Sequence, residues 1–131
     1  MDKFIQAERG HIYNWRNPNK TDEWNEHFCV VVSSNRRSRD NIVSILFLST
    51  WRGFIGDDVV PIEFGNVKWC VRTDLVTYTP RSYLLEDMGE VSEDAMTKID
   101  MGMLKALGLD SPNWEKMYNN LLDTVIARSN Q

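Results

Sequence analysis

The chain has 131 residues, of which 42% are hydrophobic and 26% are charged, a composition typical of one globular domain. Two cysteines and two histidines are too few for a disulfide framework or for a zinc site of common ligand spacing. The sequence contains no signal peptide and no apolar run long enough to span a membrane, so we expect a single cytosolic domain, residues 1–131.

The net charge of −4 is unevenly distributed along the chain. Residues 85–131 carry nine acidic and four basic side chains, whereas residues 1–84 carry ten acidic and eleven basic ones. We therefore expect the acidic surplus to lie in a helical tail that follows residue 84. The first part is close to neutral and contains clustered arginines, so the mean charge does not exclude a nucleic-acid partner.

Short apolar runs separated by turn residues dominate the first 80 positions. The loops are expected at residues 16–20 and 33–40, Pro61 is expected on an edge strand, and Gly65-Asn66 is expected to form a turn. The strands are predicted at residues 10–15, 28–32, 42–48, 57–64, 67–74 and 75–79. This spacing predicts a mainly β (α+β) fold, with a small barrel or a curled antiparallel sheet.

The last third of the chain changes to helical spacing. Ser92 is a predicted N-cap and Gly108 a predicted C-terminal glycine of a first helix. A second helix is predicted from Ser111-Pro112 to about residue 127. We expect its apolar stripe to pack against the β domain, the alternative being that it crosses a groove or widens a dimer interface. The stripe comprises Trp114, Met117, Leu121, Leu122, Val125 and Ile126.

Arg72 and Asp74 are the strongest candidates for chemistry. On a strand over 67–74 they share one face, opposite to the apolar Val67, Trp69 and Val71. A guanidinium can bind a phosphate through two hydrogen bonds, and a carboxylate can accept a proton from an attacking hydroxyl. The alternative interpretation is an ordinary surface ion pair.

Other candidates lie at strand ends and in polar segments. Ser49 lies at the end of a predicted strand, where the alternative role of its hydroxyl is to form a turn. His27 lies just before another predicted strand, and the alternative is that it has no role there. Several residues are candidates for contacts with a phosphate backbone or with bases, although a solvated loop and ordinary packing explain them equally well. These are Trp24, Arg36, Arg37, Trp51 and Arg52. No phosphate-binding loop, dinucleotide fingerprint, Gly-x-Ser-x-Gly or metal motif occurs, so we expect neither a cofactor nor a metal.

The order of several motifs resembles the MazF/PemK/Kid class of toxin–antitoxin endoribonucleases. The resemblance covers residues 8–109 and leaves 111–131 as an extra C-terminal helix. The motifs are Arg9-Gly10-x-Ile12-Tyr13, Val30-Val31-Val32-Ser33-Ser34-Asn35, Ile42-Val43-x-Ile45-x-x-Leu48-Ser49-Thr50, Arg72-Thr73-Asp74, Ser92-Glu93-Asp94-Ala95-Met96-x-x-Ile99-Asp100 and Leu107-Gly108-Leu109. The helix ending is the most specific of them.

The resemblance implies an SH3-like β-barrel with C-terminal helices and a homodimer that is blocked by a small acidic antitoxin. It also implies metal-independent cleavage of single-stranded RNA, by attack of the 2′-hydroxyl and formation of a cyclic phosphate. The family's Arg-x-Asp matches Arg72-Thr73-Asp74, and its Thr or Ser matches Ser49. Where the family commonly has Arg-Pro, this chain has His27-Phe28. Because arginine is a poor general acid, we hypothesise that His27 protonates the leaving oxygen.

Two alternatives differ from an RNA-cleaving toxin. The first is a dimer of the same fold that has lost catalysis and binds RNA or protein. The second is the gyrase-poison branch of this fold, which would leave the pairing of Arg72 with Asp74 unexplained. Cleavage of a long RNA by the wild type but not by Asp74→Ala distinguishes the enzyme from the binding module.

Overall fold

The computed structural model describes residues 6–20, 26–35, 40–51, 53, 56, 58–109 and 114–129. The elements are β1 (His11–Arg16), β2 (Glu26–Val31), β3 (Ile42–Phe47), β4 (Ser49–Thr50), β5 (Val59–Phe64), β6 (Val67–Arg72), β7 (Thr77–Pro80), a 3-10 turn (Arg81–Tyr83), β8 (Leu84–Glu90), α1 (Glu93–Ala106) and α2 (Trp114–Ser129). The predicted mainly β fold with two C-terminal helices is confirmed.

The strands form two antiparallel sheets. The larger sheet has the order β7-β3-β2-β1-β8, and the smaller one has the order β4-β6-β5. The hydrogen bonding of the described strands does not join the two sheets into one closed barrel, so that finer part of the prediction is not confirmed.

Strand β8 corrects the expectation of a helical tail after residue 84. Leu84 is buried, but the six residues that follow it are exposed. A strand with no buried face needs no alternation of apolar and polar residues, so its sequence lacks the pattern that predicts a strand. The strand forms because β1 supplies a hydrogen-bonding edge, to which β8 pairs with two register irregularities. Part of the acidic surplus therefore lies on a sheet edge rather than on a helix.

The hairpin between β5 and β6 follows its sequence signals. Gly65 and Asn66 both have a φ of 60°, as the tight turn that suits twisted antiparallel strands requires. Pro61 lies on β5, which among the described strands pairs with β6 alone and is therefore an edge strand. At an edge, the missing N–H of proline does not interrupt a ladder.

The main core fills the space between the two sheets and α1. Its buried side chains include Val30, Leu46, Val71 and Ile99, all at most 1% exposed. A second cluster, around Tyr13 and Cys29, covers the opposite face of the larger sheet. The residues of β2 and β3 are therefore apolar on both faces, which explains why their sequences are continuous apolar runs.

Helix α1 begins and ends as its sequence predicts. The Ser92 hydroxyl accepts a hydrogen bond from the Ala95 N–H at 3.1 Å. At the other end, Gly108 has a φ of 73°, and the Leu109 N–H donates to the Leu104 carbonyl at 2.8 Å. This arrangement is a Schellman motif, which only a residue that tolerates a positive φ can close without strain.

Helix α2 is present, but its apolar stripe is not buried. Leu121, Leu122, Val125 and Ile126 are 64%, 41%, 53% and 57% exposed. The expectation that this stripe packs against the β domain is therefore wrong for these four residues. The other two residues of the stripe, at positions 114 and 117, have side chains outside the described set.

Candidate active site

The end of β6 brings Arg72 and Asp74 together, as predicted. Arg72 Nη2 lies 2.7 Å from Asp74 Oδ2, and Arg72 Nε lies 3.2 Å from Asp74 Oδ1. A second carboxylate, Asp58, lies 3.8 Å from Arg72 Nη2. The two hydrogen bonds to Asp74 use two of the five guanidinium N–H donors, so about three remain for a ligand such as a phosphate.

The residue between them fixes the local backbone. Thr73 is 1% exposed, and its N–H donates to the Asp58 carbonyl at 2.8 Å. Its hydroxyl donates to the same carbonyl at 3.3 Å. Because Thr73 is held inside, the side chains of Arg72 and Asp74 both emerge at the surface, where they are 53% and 33% exposed. The pair is therefore accessible to a ligand.

An open pocket of about 490 Å³ adjoins Asp74. It combines hydroxyl groups with an exposed aromatic ring, which suits a polar, planar ligand. Its lining includes Ser33, Ser44, Thr73, Asp74, Tyr78 and Met103. The sequence analysis missed Ser44 and Tyr78 as site residues. One sequence signal could have indicated Ser44: it is a polar residue within the otherwise apolar β3. Tyr78 lies beside it because the two residues pair directly between β3 and β7.

Ser49 lies close to Arg72 along the smaller sheet. It begins β4 and pairs with Cys70, which precedes Arg72 by two residues on the same face of β6. A spacing of two residues on a strand is about 7 Å. Ser49 is exposed, so its hydroxyl can contact a ligand that is also bound to Arg72.

His27 lies near the start of β2, away from Asp74. It pairs with Trp15 of β1, whereas the ladder between β2 and β3 ends at Cys29 and Phe47. Asp74 lines a pocket with Val32 and Ser33, which follow the other end of β2. The His27 ring centroid is 5.8 Å from that of Phe47. Among the described residues, no contact joins His27 directly to Asp74. An acid at His27 and a base at Asp74 would thus act on different parts of one extended ligand.

The predicted nucleic-acid contacts are only partly described. Trp24, Arg36, Arg37 and Arg52 lie outside the described residues. Trp51 is half-buried, and Lys68 Nζ lies 4.5 Å from the centroid of its ring. One face of this indole is therefore covered by an ammonium group, which favours a packing role on that side.

The strongly perturbed groups lie away from this site. Burial raises the pKa of the Cys29 thiol to about 12, and burial also raises the pKa of Tyr13. Both side chains belong to the second core cluster and are fully buried. Cys29 and Cys70 are free thiols. Within the described ranges, no group of three or more His, Cys, Asp or Glu side chains could hold a metal ion.

Comparisons with known proteins identify solved structures that are similar to this chain. An endoribonuclease from a mycobacterial species, solved in complex with its cognate antitoxin, is 26% identical, with a TM-score of 0.66. The alignment covers 80% of this chain and 98% of that one. A second mycobacterial endoribonuclease is 25% identical with the same TM-score, covering 85% of this chain and 100% of its own.

A more distant likeness supports the fold alone. MazF from Deinococcus radiodurans is 14% identical, with a TM-score of 0.64 over 79% of this chain and 97% of that one. No curated protein sequence matches significantly. Among the described helices, neither is long and apolar enough to cross a bilayer. Residues 8–107 match the sequence profile of the PemK-like, MazF-like toxins of type II toxin–antitoxin systems, and the chain belongs to that family.

Proposed function

We propose that this protein is a metal-independent endoribonuclease toxin that cleaves single-stranded RNA. The observation that carries the proposal is the pair of hydrogen bonds between Arg72 and Asp74 at the exposed end of β6, beside an open pocket. Family membership and the two mycobacterial endoribonucleases of similar structure support the same activity. RNA as the substrate implies action in the cytoplasm.

The proposed reaction is an intramolecular transfer at phosphorus. Asp74 accepts the proton of the ribose 2′-hydroxyl, and the 2′-oxygen forms a bond to the adjacent phosphorus. Arg72 binds the non-bridging phosphate oxygens and stabilises the negative charge that develops on them. The bond from phosphorus to the 5′-oxygen breaks, and that oxygen takes a proton from solvent, since His27 lies near the opposite end of β2 from the pocket that Asp74 lines. The products are a 2′,3′-cyclic phosphate and a 5′-hydroxyl end.

We propose that ligand binding rearranges the resting pair. Both carboxylate oxygens of Asp74 accept hydrogen bonds from Arg72 in the unliganded site. A phosphate that binds the remaining N–H donors draws the guanidinium toward itself, and this frees a carboxylate oxygen of Asp74 to accept a proton. Ser49, on the strand beside β6, supplies a further hydrogen bond to the phosphate group.

A cleavage assay with matched variants tests these assignments. A long single-stranded RNA is incubated with EDTA and each variant, and melting temperatures confirm that the variants are folded. We expect Asp74→Asn to reduce the rate by about 10²–10⁴-fold, the usual contribution of a general base. Arg72→Lys keeps the charge but loses the two-pronged geometry, so it should also be strongly impaired. Asp123→Asn, an exposed acid-to-amide change on α2, serves as the control.

The pH dependence separates the role of His27 from that of Asp74. If His27 supplied that proton instead, His27→Ala would abolish the alkaline limb of the pH–rate profile and retain the acid limb. A profile with both limbs unchanged removes His27 from the mechanism. RNA binding without cleavage under all metal-free conditions would instead identify the protein as a binding module.

We further propose that the protein is a homodimer inhibited by a small acidic antitoxin. The mycobacterial structure with its cognate antitoxin supports this partner. The Arg72 guanidinium, which we propose to bind an RNA phosphate, can equally bind a carboxylate of an acidic peptide. Light scattering measures the oligomeric state, and co-purification with the product of an adjacent small open reading frame tests the partner.

A further inference from the structure

The pocket that Asp74 lines is formed where three parts of the chain meet, and we call it the Asp74 pocket. The larger sheet contributes Ser44 and Tyr78, the segment after β6 contributes Asp74, and the end of α1 contributes Leu107. The volume of about 490 Å³ falls within the usual range of small-molecule sites. Arg72 donates hydrogen bonds to Asp74 but does not line the pocket. The guanidinium therefore lies outside the pocket, whereas Asp74 forms part of its wall.

Tyr78 presents an aromatic ring to the Asp74 pocket. Its neighbour on β7, Thr79, is buried and accepts a hydrogen bond from the Trp15 indole N–H on the opposite face of the larger sheet. Because side chains alternate along a strand, Tyr78 is directed to the pocket side, and it is 73% exposed. The pairing of β7 with β3 holds its backbone in place. The ring is therefore available to stack against a flat ligand.

Hydroxyl groups lie beside this ring. Ser44 pairs directly with Tyr78, a register that places their Cβ atoms about 5 Å apart. The Ser33 hydroxyl accepts a hydrogen bond from the Ser44 N–H at 3.2 Å, which leaves its own proton to donate. Val76 and Leu107 add apolar surface to the same pocket. A ring, apolar side chains and hydroxyl groups together suit a heteroaromatic ligand that stacks and forms hydrogen bonds at its edge.

The covalent order of atoms in RNA determines which base can enter the Asp74 pocket. In a ribose, C2′ carries the hydroxyl, the adjacent C1′ carries the base, and C3′, on the other side, carries the phosphate. In the proposed reaction Arg72 binds the phosphate and Asp74 accepts the proton of the 2′-hydroxyl. The order of phosphate, hydroxyl and base within one nucleotide thus matches the order of Arg72, Asp74 and the pocket. That nucleotide lies on the 5′ side of the cleaved bond.

We infer that the Asp74 pocket binds the base of the nucleotide immediately 5′ of the cleaved bond, and that Tyr78 stacks on this base. The positional assignment rests on the proposed RNA-cleaving function, whereas binding of a base can be measured without cleavage. Stacking is open to every base, because every base has a π-face. The hydroxyl groups of Ser33 and Ser44 meet hydrogen-bonding edges that differ between bases, so they give this position its base preference.

The first experiment measures base binding with DNA oligonucleotides, which lack the 2′-hydroxyl and cannot be cut. Binding of a short thymidine oligomer is compared with that of an abasic oligomer of equal length and charge. We expect wild type to bind the base-bearing oligomer about 10-fold more tightly, Tyr78→Leu to lose most of that difference, and Tyr78→Phe to retain it. Tyr83→Leu, the same change in a ring that contacts Trp15, is the matched control and should also retain it. If Tyr78→Leu keeps the full difference, base stacking on Tyr78 is refuted.

The second experiment uses RNA whose cleavage point has been mapped with wild type, with one abasic ribonucleotide placed either 5′ or 3′ of the cut. The 5′ abasic site should raise KM about 10-fold for wild type and leave KM of Tyr78→Leu nearly unchanged. If only the 3′ abasic site abolishes the difference between the two proteins, the positional assignment is overturned.

The base preference is tested with four RNAs that differ only in the base 5′ of the cut. Ser44→Ala should reduce the spread of kcat/KM among them several-fold, about the contribution of one hydrogen bond, and an unchanged spread removes this hydroxyl from base recognition. Base binding that depends on Tyr78, without cleavage of any RNA, would refute the proposed function and the positional assignment together and leave the pocket as a base-binding site.

Discussion

Gly102 of α1 is the position at which helix packing and the candidate active site depend on each other most directly. A Cβ at this position would lie 2.5 Å from Thr73 Oγ1, 2.7 Å from Cγ2 and 2.9 Å from Cβ. Thr73 cannot easily yield, because both its N–H and its hydroxyl donate to the Asp58 carbonyl. An overpacked core site costs about 1–3 kcal/mol, whereas replacing a helical glycine by alanine gains about 1 kcal/mol.

We therefore expect Gly102→Ala to reduce the free energy of unfolding by up to about 2 kcal/mol and the melting temperature by up to about 10 °C. RNA cleavage should fall as well, because any shift of Thr73 displaces the flanking Arg72 and Asp74. Thermal and urea unfolding measure the stability, and initial cleavage rates measure the effect on the site.

A double-mutant cycle identifies the cause. Thr73→Ala removes two of the three clashing atoms, so Gly102→Ala should be less damaging in that background by about 1 kcal/mol or more. Two results refute the reasoning: a stabilised Gly102→Ala, as for a solvent-exposed helical glycine, or strictly additive effects of the two substitutions.

Four further predictions concern other parts of the chain. Burial raises the pKa of Cys29 from 9.0 to about 12, so its contribution to stability is complete below pH 9 and declines above it, by about 1.4 kcal/mol at pH 10; the difference in unfolding free energy between wild type and Cys29→Ala, measured in urea, should shift by that amount against wild type between about pH 8 and pH 10, and a difference independent of pH contradicts this. Ser92→Ala should cost about 1 kcal/mol through loss of the N-cap, measured by thermal unfolding. The coupling energy between Arg9 and Asp100, which form a partly exposed ion pair, should be below about 1 kcal/mol and fall further in 1 M salt. Deletion of residues 111–131 should shift the melting temperature by only about 2 °C or less, since the described apolar residues of α2 are exposed.

Local signals were sufficient for much of the fold. The apolar runs predicted β2 and β3, the Gly65-Asn66 turn predicted the hairpin, and capping residues predicted the ends of α1. Strand β8 was not predicted because it forms through pairing with β1, a long-range interaction that its own residues do not encode. The exposure of the apolar stripe of α2 was not predicted, because periodicity identifies an amphipathic helix but not the surface against which it packs.

In the candidate site, too, local arrangements were predictable from the sequence and long-range ones were not. The pairing of Arg72 with Asp74 was predictable because a spacing of two residues on a strand puts both side chains on one face. The separation of His27 from Asp74 was not, because it depends on which end of β2 the residues after β6 approach. The same holds for the ring contacts of Trp15 with His27, Phe47 and Tyr83, which come from three strands and a 3-10 turn.

The resting ion pair gives the site a built-in dependence on phosphate. As long as Asp74 accepts both hydrogen bonds from Arg72, it is poorly placed to take a proton from a hydroxyl. A bound phosphate withdraws the guanidinium from the carboxylate, so the base becomes available only when the group to be attacked is present. Asp58, at 3.8 Å from the same guanidinium, keeps the positive charge near the end of β6 during this exchange. The carboxylates therefore hold Arg72 in place before binding and compete with the substrate for it. By this argument, Asp58→Asn leaves the fold intact and alters the affinity for RNA more than the rate of the chemical step.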